Sequence, residues 1–282
     1  IDEMANRVLR FMPEYDSLYR VQAFLEAQTT MLEHGLTQIT DAGLSAKEIE
    51  RLLAFEKQGL LKLRINAMVS GNDDDIGWLL QNGPIATDRL TVQSVKFYMD
   101  GALGSRGAML IDPYSDLKGW RGVSMLDRDW FKNQLEQLHA SGMQAATHCI
   151  GDSAVRLVLN AYAEVLDGPN DRRWRIEHAQ VVAKDDMNQF GTYHIIPSIQ
   201  PTHATSDMYW AGERLGRNRI RRAYAYQELL AQNGMVALGT DFPVEDIDPR
   251  KTMFAATARR DAAGYPDEGF QMKNALTPDQ TL

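Results

Sequence analysis

Short β-branched or apolar runs alternate with helix-patterned segments along nearly the whole chain, and no other feature of the sequence narrows the fold as far. Such alternation marks βα units, in which each helix returns the chain to start another strand in the same direction. A helical pattern over residues 18–33 is stopped by Gly35, and residues 36–40 read as a strand that ends at Asp41-Ala42-Gly43. Ser45 then caps a helix that reaches about Gln58. Further strands are expected at 61–69, 93–99, 143–147, 174–177, 194–199 and 235–239, with helices at 127–141, 152–166, 184–190 and 220–232. That makes seven strands. Residues 72–88 and 101–121 read as long loops, and long loops in α/β domains commonly cover a site. No repeat, low-complexity tract or linker divides the sequence, so residues 1–282 are expected to form one domain.

Seven parallel strands suit either an open doubly wound sheet or an incomplete TIM-like (β/α)8 barrel. The placement of ionisable residues separates the two. Barrel enzymes take their active groups from the C-terminal ends of several strands, and Lys96, His148, His178 and Asp241 each fall at such an end. A doubly wound nucleotide fold would carry a glycine fingerprint after its first strand, which Asp41-Ala42-Gly43-Leu44 does not supply.

Composition excludes several classes of function. The 282 residues are 44% hydrophobic and 24% charged, enough for a large core. A formal net charge of −8 argues against nucleic acid as a partner, because binding it requires clustered Lys and Arg. The basic run 214–222 reads as a solvated helix face. A lone cysteine, Cys149, permits neither an intrachain disulfide nor a thiolate metal cluster and agrees with a reducing, cytoplasmic setting. No apolar run approaches the ~18 residues of a membrane span, and residues 1–12 are charged where a signal peptide would be apolar. The chain starts at Ile1 inside what reads as a helix, so the natural N-terminus is expected elsewhere.

His148 follows Ala145-Ala146-Thr147 and precedes a glycine-led helix, and His178 repeats that placement one βα unit later. Adjacent strands that both end in histidine favour a shared ligand, and zinc-like metals prefer imidazole nitrogen. Asp241, in Gly239-Thr240-Asp241-Phe242-Pro243, adds a carboxylate that can bind a metal and accept a proton from water. Each of the three alone reads more simply as a satisfied core histidine or a helix cap; together they read as a metal site. Lys96, between Val95 and Phe97, places an ammonium inside a strand, where burial lowers its pKa. A snorkelling lysine, an imine-forming lysine and a carbamate-forming lysine that bridges two metals all fit that position.

Five segments in order resemble the amidohydrolase superfamily, in particular the branch that includes N-substituted formamide deformylases. They are Val95-Lys96 through Asp100-Gly101-Ala102-Leu103-Gly104-Ser105-Arg106, Thr147-His148-Cys149-Ile150-Gly151-Asp152, Ile176-Glu177-His178-Ala179-Gln180, Ser198 through Met208, and Gly239-Thr240-Asp241-Phe242-Pro243-Val244-Glu245. The resemblance implies one or two divalent metals, usually zinc. It makes Lys96 a carboxylated bridge, His148 and His178 ligands of one metal, and Asp241 a ligand of the other and the general base. The implied reaction is hydrolysis of an amide or related C–N bond in a small molecule, by a metal-activated water. Arg106, His203 and Asp207 fall on the substrate side, although Asp207 also suits a loop cap.

One departure stands out. The family carries a His-X-His pair on its first barrel strand, and none of His34, His139, His148, His178, His194 and His203 lies two residues from another. The expectation is therefore a partial barrel without its first strand and flanking small β domain, which alone holds at most about one tight metal and hydrolyses poorly. The competing readings are a barrel lyase that forms an imine at Lys96 and a binding fragment without turnover. A homo-oligomer is compatible with any of them.

Overall fold

The computed structural model describes residue 11 and residues 16–282, so the helical reading at Ile1 lies outside the described residues. Two compact units divide the chain, Ile1–Gln93 and Ser94–Leu282.

The first unit contains helix α1 (Ser17–Glu33), strand β1 (Gln38–Leu44), helix α2 (Ala46–Lys57), strand β2 (Arg64–Ser70) and helix α3 (Asp73–Asn82). β1 and β2 pair in parallel, with a register shift between Ala42 and Leu44 that carries β1 past the expected stop at Asp41. Ser45 and Glu48 form a reciprocal capping box that starts α2 where the sequence places it. Helix α3 occupies part of the stretch expected to be a loop. The Asn72 side chain accepts from the Asp75 N–H, and Asp73, Asp74 and Asp75 face the partial positive charge of the helix start. Its buried side chains are Ile76 and Leu79, too narrow an apolar stripe for periodicity to reveal. Gln28 crosses from α1 to the backbone before β2, donating to Leu60 O at 3.1 Å and accepting from Leu63 N at 3.2 Å.

A two-residue strand, β3 (Ile85–Ala86), pairs antiparallel with β4 (Leu90–Tyr98), which runs from the first unit into the second. The second unit continues through α4 (Arg128–Ala140), β5 (Gln144–Cys149), α5 (Asp152–Leu166), β6 (Arg175–His178), α6 (Met187–Thr192), β7 (Ile196–Ile199), α7 (Pro201–Asp207), α8 (Ala211–Arg219), α9 (Tyr226–Asn233), β8 (Ala237–Leu238) and α10 (Pro249–Ala258). Strands β4 to β8 pair successively in parallel. The expected seven parallel strands are all present, in a half-barrel of α/β architecture. The expected helix at 220–232 is broken: a short 3-10 turn, Ile220–Arg222, precedes α9, and Tyr224 between them has φ 55°.

An aromatic chain packs helices onto strands. Phe97 of β4 meets Phe131 of α4 at 5.2 Å between centroids, and Tyr162 of α5 meets Trp174 at 4.9 Å. All four rings are almost fully buried, each such burial contributing about 1.5–3 kcal/mol. Their polar atoms are satisfied, with Tyr162 OH beside Thr147 Oγ1 at 2.7 Å and Trp174 Nε1 donating to Met143 O at 3.0 Å. The basic run is not a solvated face throughout: Arg219 donates to Asp112 O and Pro113 O, each at 2.7 Å, and Arg214 pairs with Asp116. These arginines fasten the long loop after β4. Among the described residues no helix is long and apolar enough to cross a membrane.

Candidate metal centre

The parallel register of the second unit sets Lys96, Ala146, Arg175 and Ile196 in one row and Tyr98, His148, Glu177 and Ser198 in the next. Alternate strand residues share a face, so Lys96, Tyr98, His148 and Glu177 point away from the helix-covered side that Phe97 and Thr147 occupy. On that inner face Lys96 Nζ lies 4.4 Å from the centre of the Tyr98 ring. Lys96 is buried, and desolvation holds its amine below the ordinary lysine range, while the Glu177 and Asp241 carboxylates pull it back up. Glu177 in turn is paired with Arg175 at 2.7 Å.

Strict alternation would send His178, next to Glu177, toward the helices. The backbone prevents this: φ is 74° at His178 and 42° at Ala179, the left-handed region that costs a non-glycine residue about 1–2 kcal/mol. The imidazole instead lies 4.5 Å from the His148 ring and 5.8 Å from the His203 ring, centroid to centroid. Asp241 has the same kind of backbone, with φ 56°, just past β8.

His178, His203 and Asp241 each offer a ligand atom, and these atoms all lie within 4.8 Å of one another. His203, expected on the substrate side, also falls in this group, with Nε2 3.9 Å from Asp241 Oδ2. It sits in the first turn of α7, directly after β7, a position of the same strand-end kind that singled out the other histidines. His148 lies beside the group without joining it, and Lys96 lies in the neighbouring row.

Burial lowers the pKa of all three histidines: to about 3 for His148, where the Lys96 charge adds to desolvation, to about 4 for His203, and well below the usual value for His178. Neutral imidazoles are the form that binds metal. Burial also raises the Asp241 carboxyl, opposed by Lys96. His148 Nε2 and His203 Nε2 are buried without a hydrogen-bond partner, which leaves each nitrogen open to a ligand. Two or three neutral imidazoles with one carboxylate form a donor set suited to a borderline divalent ion such as zinc, so these residues fit the implied metal.

Asp100, at the end of β4, was not singled out from the sequence. It is 1% exposed, and its carboxylate accepts from the backbone N–H groups of Met109 (2.8 Å), Ile150 (3.0 Å) and Gly151 (2.9 Å). Burial pushes it up to about 7 while those donors pull it down. Its Oδ1 is 3.7 Å from His148 Nε2, so it ties the glycine-rich loop to the strand end that carries His148. The strand-end argument used for Asp241 applies equally to Asp100 and would have found it.

Arg106 has φ 62°, and its guanidinium grips Asp116 through Nε at 3.2 Å and Nη2 at 2.9 Å. That pairing closes the loop on itself. Asp207 accepts from Tyr224 OH at 2.8 Å and Gln180 Nε2 at 3.1 Å, and burial raises its carboxyl to about 6. The expected cap-like role and the expected substrate-side role both remain compatible with that cluster.

A sequence model described as the amidohydrolase family matches residues 2–282. The protein LONG AFTER FAR-RED 3 of Arabidopsis thaliana is 31% identical over 295 residues, covering 98% of this chain and 51% of its own length. The N-substituted formamide deformylase of Arthrobacter pascens is 23% identical over 271 residues, covering 88% of this chain and 46% of its own. The crystal structure of an uncharacterized metal-dependent hydrolase from Pyrococcus furiosus superimposes with a TM-score of 0.80 at 27% identity, over 91% of this chain and 52% of that one. The chain thus spans about half the length of the relatives it matches. With the half-barrel and a family match over almost every residue, the chain belongs to the amidohydrolase family.

Proposed function

We propose that the protein is a metal-dependent hydrolase of non-peptide C–N bonds, with N-formyl or N-acyl amines as its substrate class. The observation that carries this reading is the convergence of His178, His203 and Asp241 on one point at the mouth of the strands. His178 and His203 would hold the ion with Asp241, and His148 and Lys96 stand beside them for a second. A divalent metal bound there supplies positive charge that acidifies water and polarises a carbonyl oxygen.

The chain's own residues account for the remaining steps. Asp241, with its side chain 40% exposed, is open to solvent, and its carboxylate can accept a proton from water. An Asp241 oxygen takes the proton of the attacking water and delivers it to the leaving amine nitrogen. Lys96, its amine held below the ordinary lysine range, could form an N–C bond to carbon dioxide with loss of a proton, and the resulting carbamate would add anionic oxygen donors to the site. The resemblance to formamide deformylases supports the formyl end of the substrate range.

Full-length protein assayed against a panel of N-formyl and N-acyl amines tests the reading. Chelation is expected to abolish turnover and zinc to restore it, while Asp241→Asn lowers kcat by orders of magnitude with an unchanged circular dichroism spectrum. Turnover that survives chelation, or a near-normal Asp241→Asn enzyme, refutes the proposal. Borohydride trapping of a substrate adduct at Lys96 would instead establish the imine-forming lyase.

A further inference from the structure

Gln200 has no role in the reading above, yet it makes the shortest polar contact to the candidate ligands. Its Oε1 lies 2.7 Å from His178 Nδ1. The residue is 6% exposed and forms the N-terminal boundary of α7, directly after β7. We propose that Gln200 is a positioning residue that fixes the tautomer and ring orientation of His178, so that Nε2 alone is presented to the metal. This rests on the hydrolase reading for its purpose, but its structural content stands apart from it.

The argument follows from donor and acceptor chemistry. An amide oxygen can only accept, so the ring nitrogen facing it must carry the proton. A neutral imidazole has one N–H and one lone pair, and a proton on Nδ1 leaves the lone pair on Nε2. The amide orientation agrees with this: Gln200 Nε2 faces Ser198 O at 3.5 Å, a long contact, and reversing the amide would set oxygen against oxygen there. The backbone of Gln200 is held as well, because its carbonyl accepts from Tyr226 OH at 3.0 Å. Tyr226 is buried, and the Arg259 guanidinium covers its ring at 5.1 Å. His178 needs such support more than most ligands. Its left-handed backbone, φ 74°, would relax toward the extended form and turn the ring away. Partners of this kind, which hold the far nitrogen of a ligating histidine, set both its basicity and its aim.

Two measurements on the full-length protein test the assignment. Long-range proton–nitrogen spectra of the metal-free protein, with His178 assigned from the resonances lost in His178→Gln, are expected to show the Nδ1–H tautomer. Gln200→Leu should shift it toward a mixture. Zinc affinity, measured against a competing chromogenic chelator, is expected to fall about 10–100-fold in Gln200→Leu and to recover in Gln200→Glu, which restores an acceptor. An Nε2–H tautomer in the unaltered protein, or Gln200→Leu binding zinc as tightly as the parent, overturns the proposal. Should Gln200→Leu fail to fold, the parent's tautomer and the affinity of Gln200→Glu decide it. A parent that takes up no zinc would sink the hydrolase reading, while the tautomer spectrum still judges Gln200.

Discussion

Removing the Asp100 carboxylate should destabilise the second unit more than any single change at the metal centre. Asp100→Ala strips the acceptor from three backbone N–H groups, those of Met109, Ile150 and Gly151. A buried donor left unpaired costs about 1–3 kcal/mol. The three losses overlap, since all sit on one carboxylate, so the expected total is about 3–6 kcal/mol. Asp100→Asn provides an internal control. Oδ1 serves Ile150, and Oδ2 serves both Met109 and Gly151. An asparagine that keeps its oxygen at the second position retains two of the three bonds and carries no charge to desolvate, so it should cost less than alanine. Urea unfolding of the metal-free protein, followed by circular dichroism, reads both values as midpoint shifts at constant slope. The reasoning fails if Asp100→Ala lies within about 1 kcal/mol of the parent, or if Asn proves costlier than Ala.

Two further outcomes follow from the geometry around the site. A Cβ at Gly151 would lie 1.9 Å from Met109 O, so Gly151→Ala should yield little folded protein; Gly212, with nothing within 4 Å, should tolerate alanine or gain up to about 1 kcal/mol. Comparative soluble yield and melting temperature check the pair, and equal behaviour would contradict it. Asp207 provides a pH test. Its folded value of about 6 lies above the ordinary 3.8, so its ionisation opposes folding: the penalty is absent below pH 4 and complete above about pH 7. One Asp207 oxygen accepts from both Tyr224 and Gln180, and an asparagine oxygen can do the same. Asp207→Asn should therefore stabilise by up to about 3 kcal/mol at neutral pH and by nothing near pH 4. A melting difference that is flat with pH, or larger in acid, would show the sign to be wrong.

The fold was legible because its signals are local. Seven apolar runs of strand length, Ser45 with Glu48, and Asp127 ahead of Arg128–Ala140 each declare an element within a few residues. Signals failed where the pattern was weak. Helix α3 hides its two buried residues among acids, and Tyr224 interrupts a periodic stretch through a left-handed turn that periodicity does not register.

Residue chemistry and strand-end placement were enough, from sequence, to mark His148, His178 and Asp241 as a set with Lys96 behind them. Which atoms actually meet was decided by the tertiary structure, because side-chain direction depends on backbone angles and register that no local pattern specifies. Left-handed φ values turn His178 and Asp241 toward each other, α7 delivers His203 into their group, and His148 is left alongside. The same is true of the partners. Asp100 reaches Ile150 and Gly151 across some fifty positions of sequence, and Gln200 meets His178 only because β6 and β7 lie side by side. Sequence alone determined the kinds of groups available and the strands that carry them; packing of the parallel strands, and the strain it sustains at their ends, chose the ones that converge.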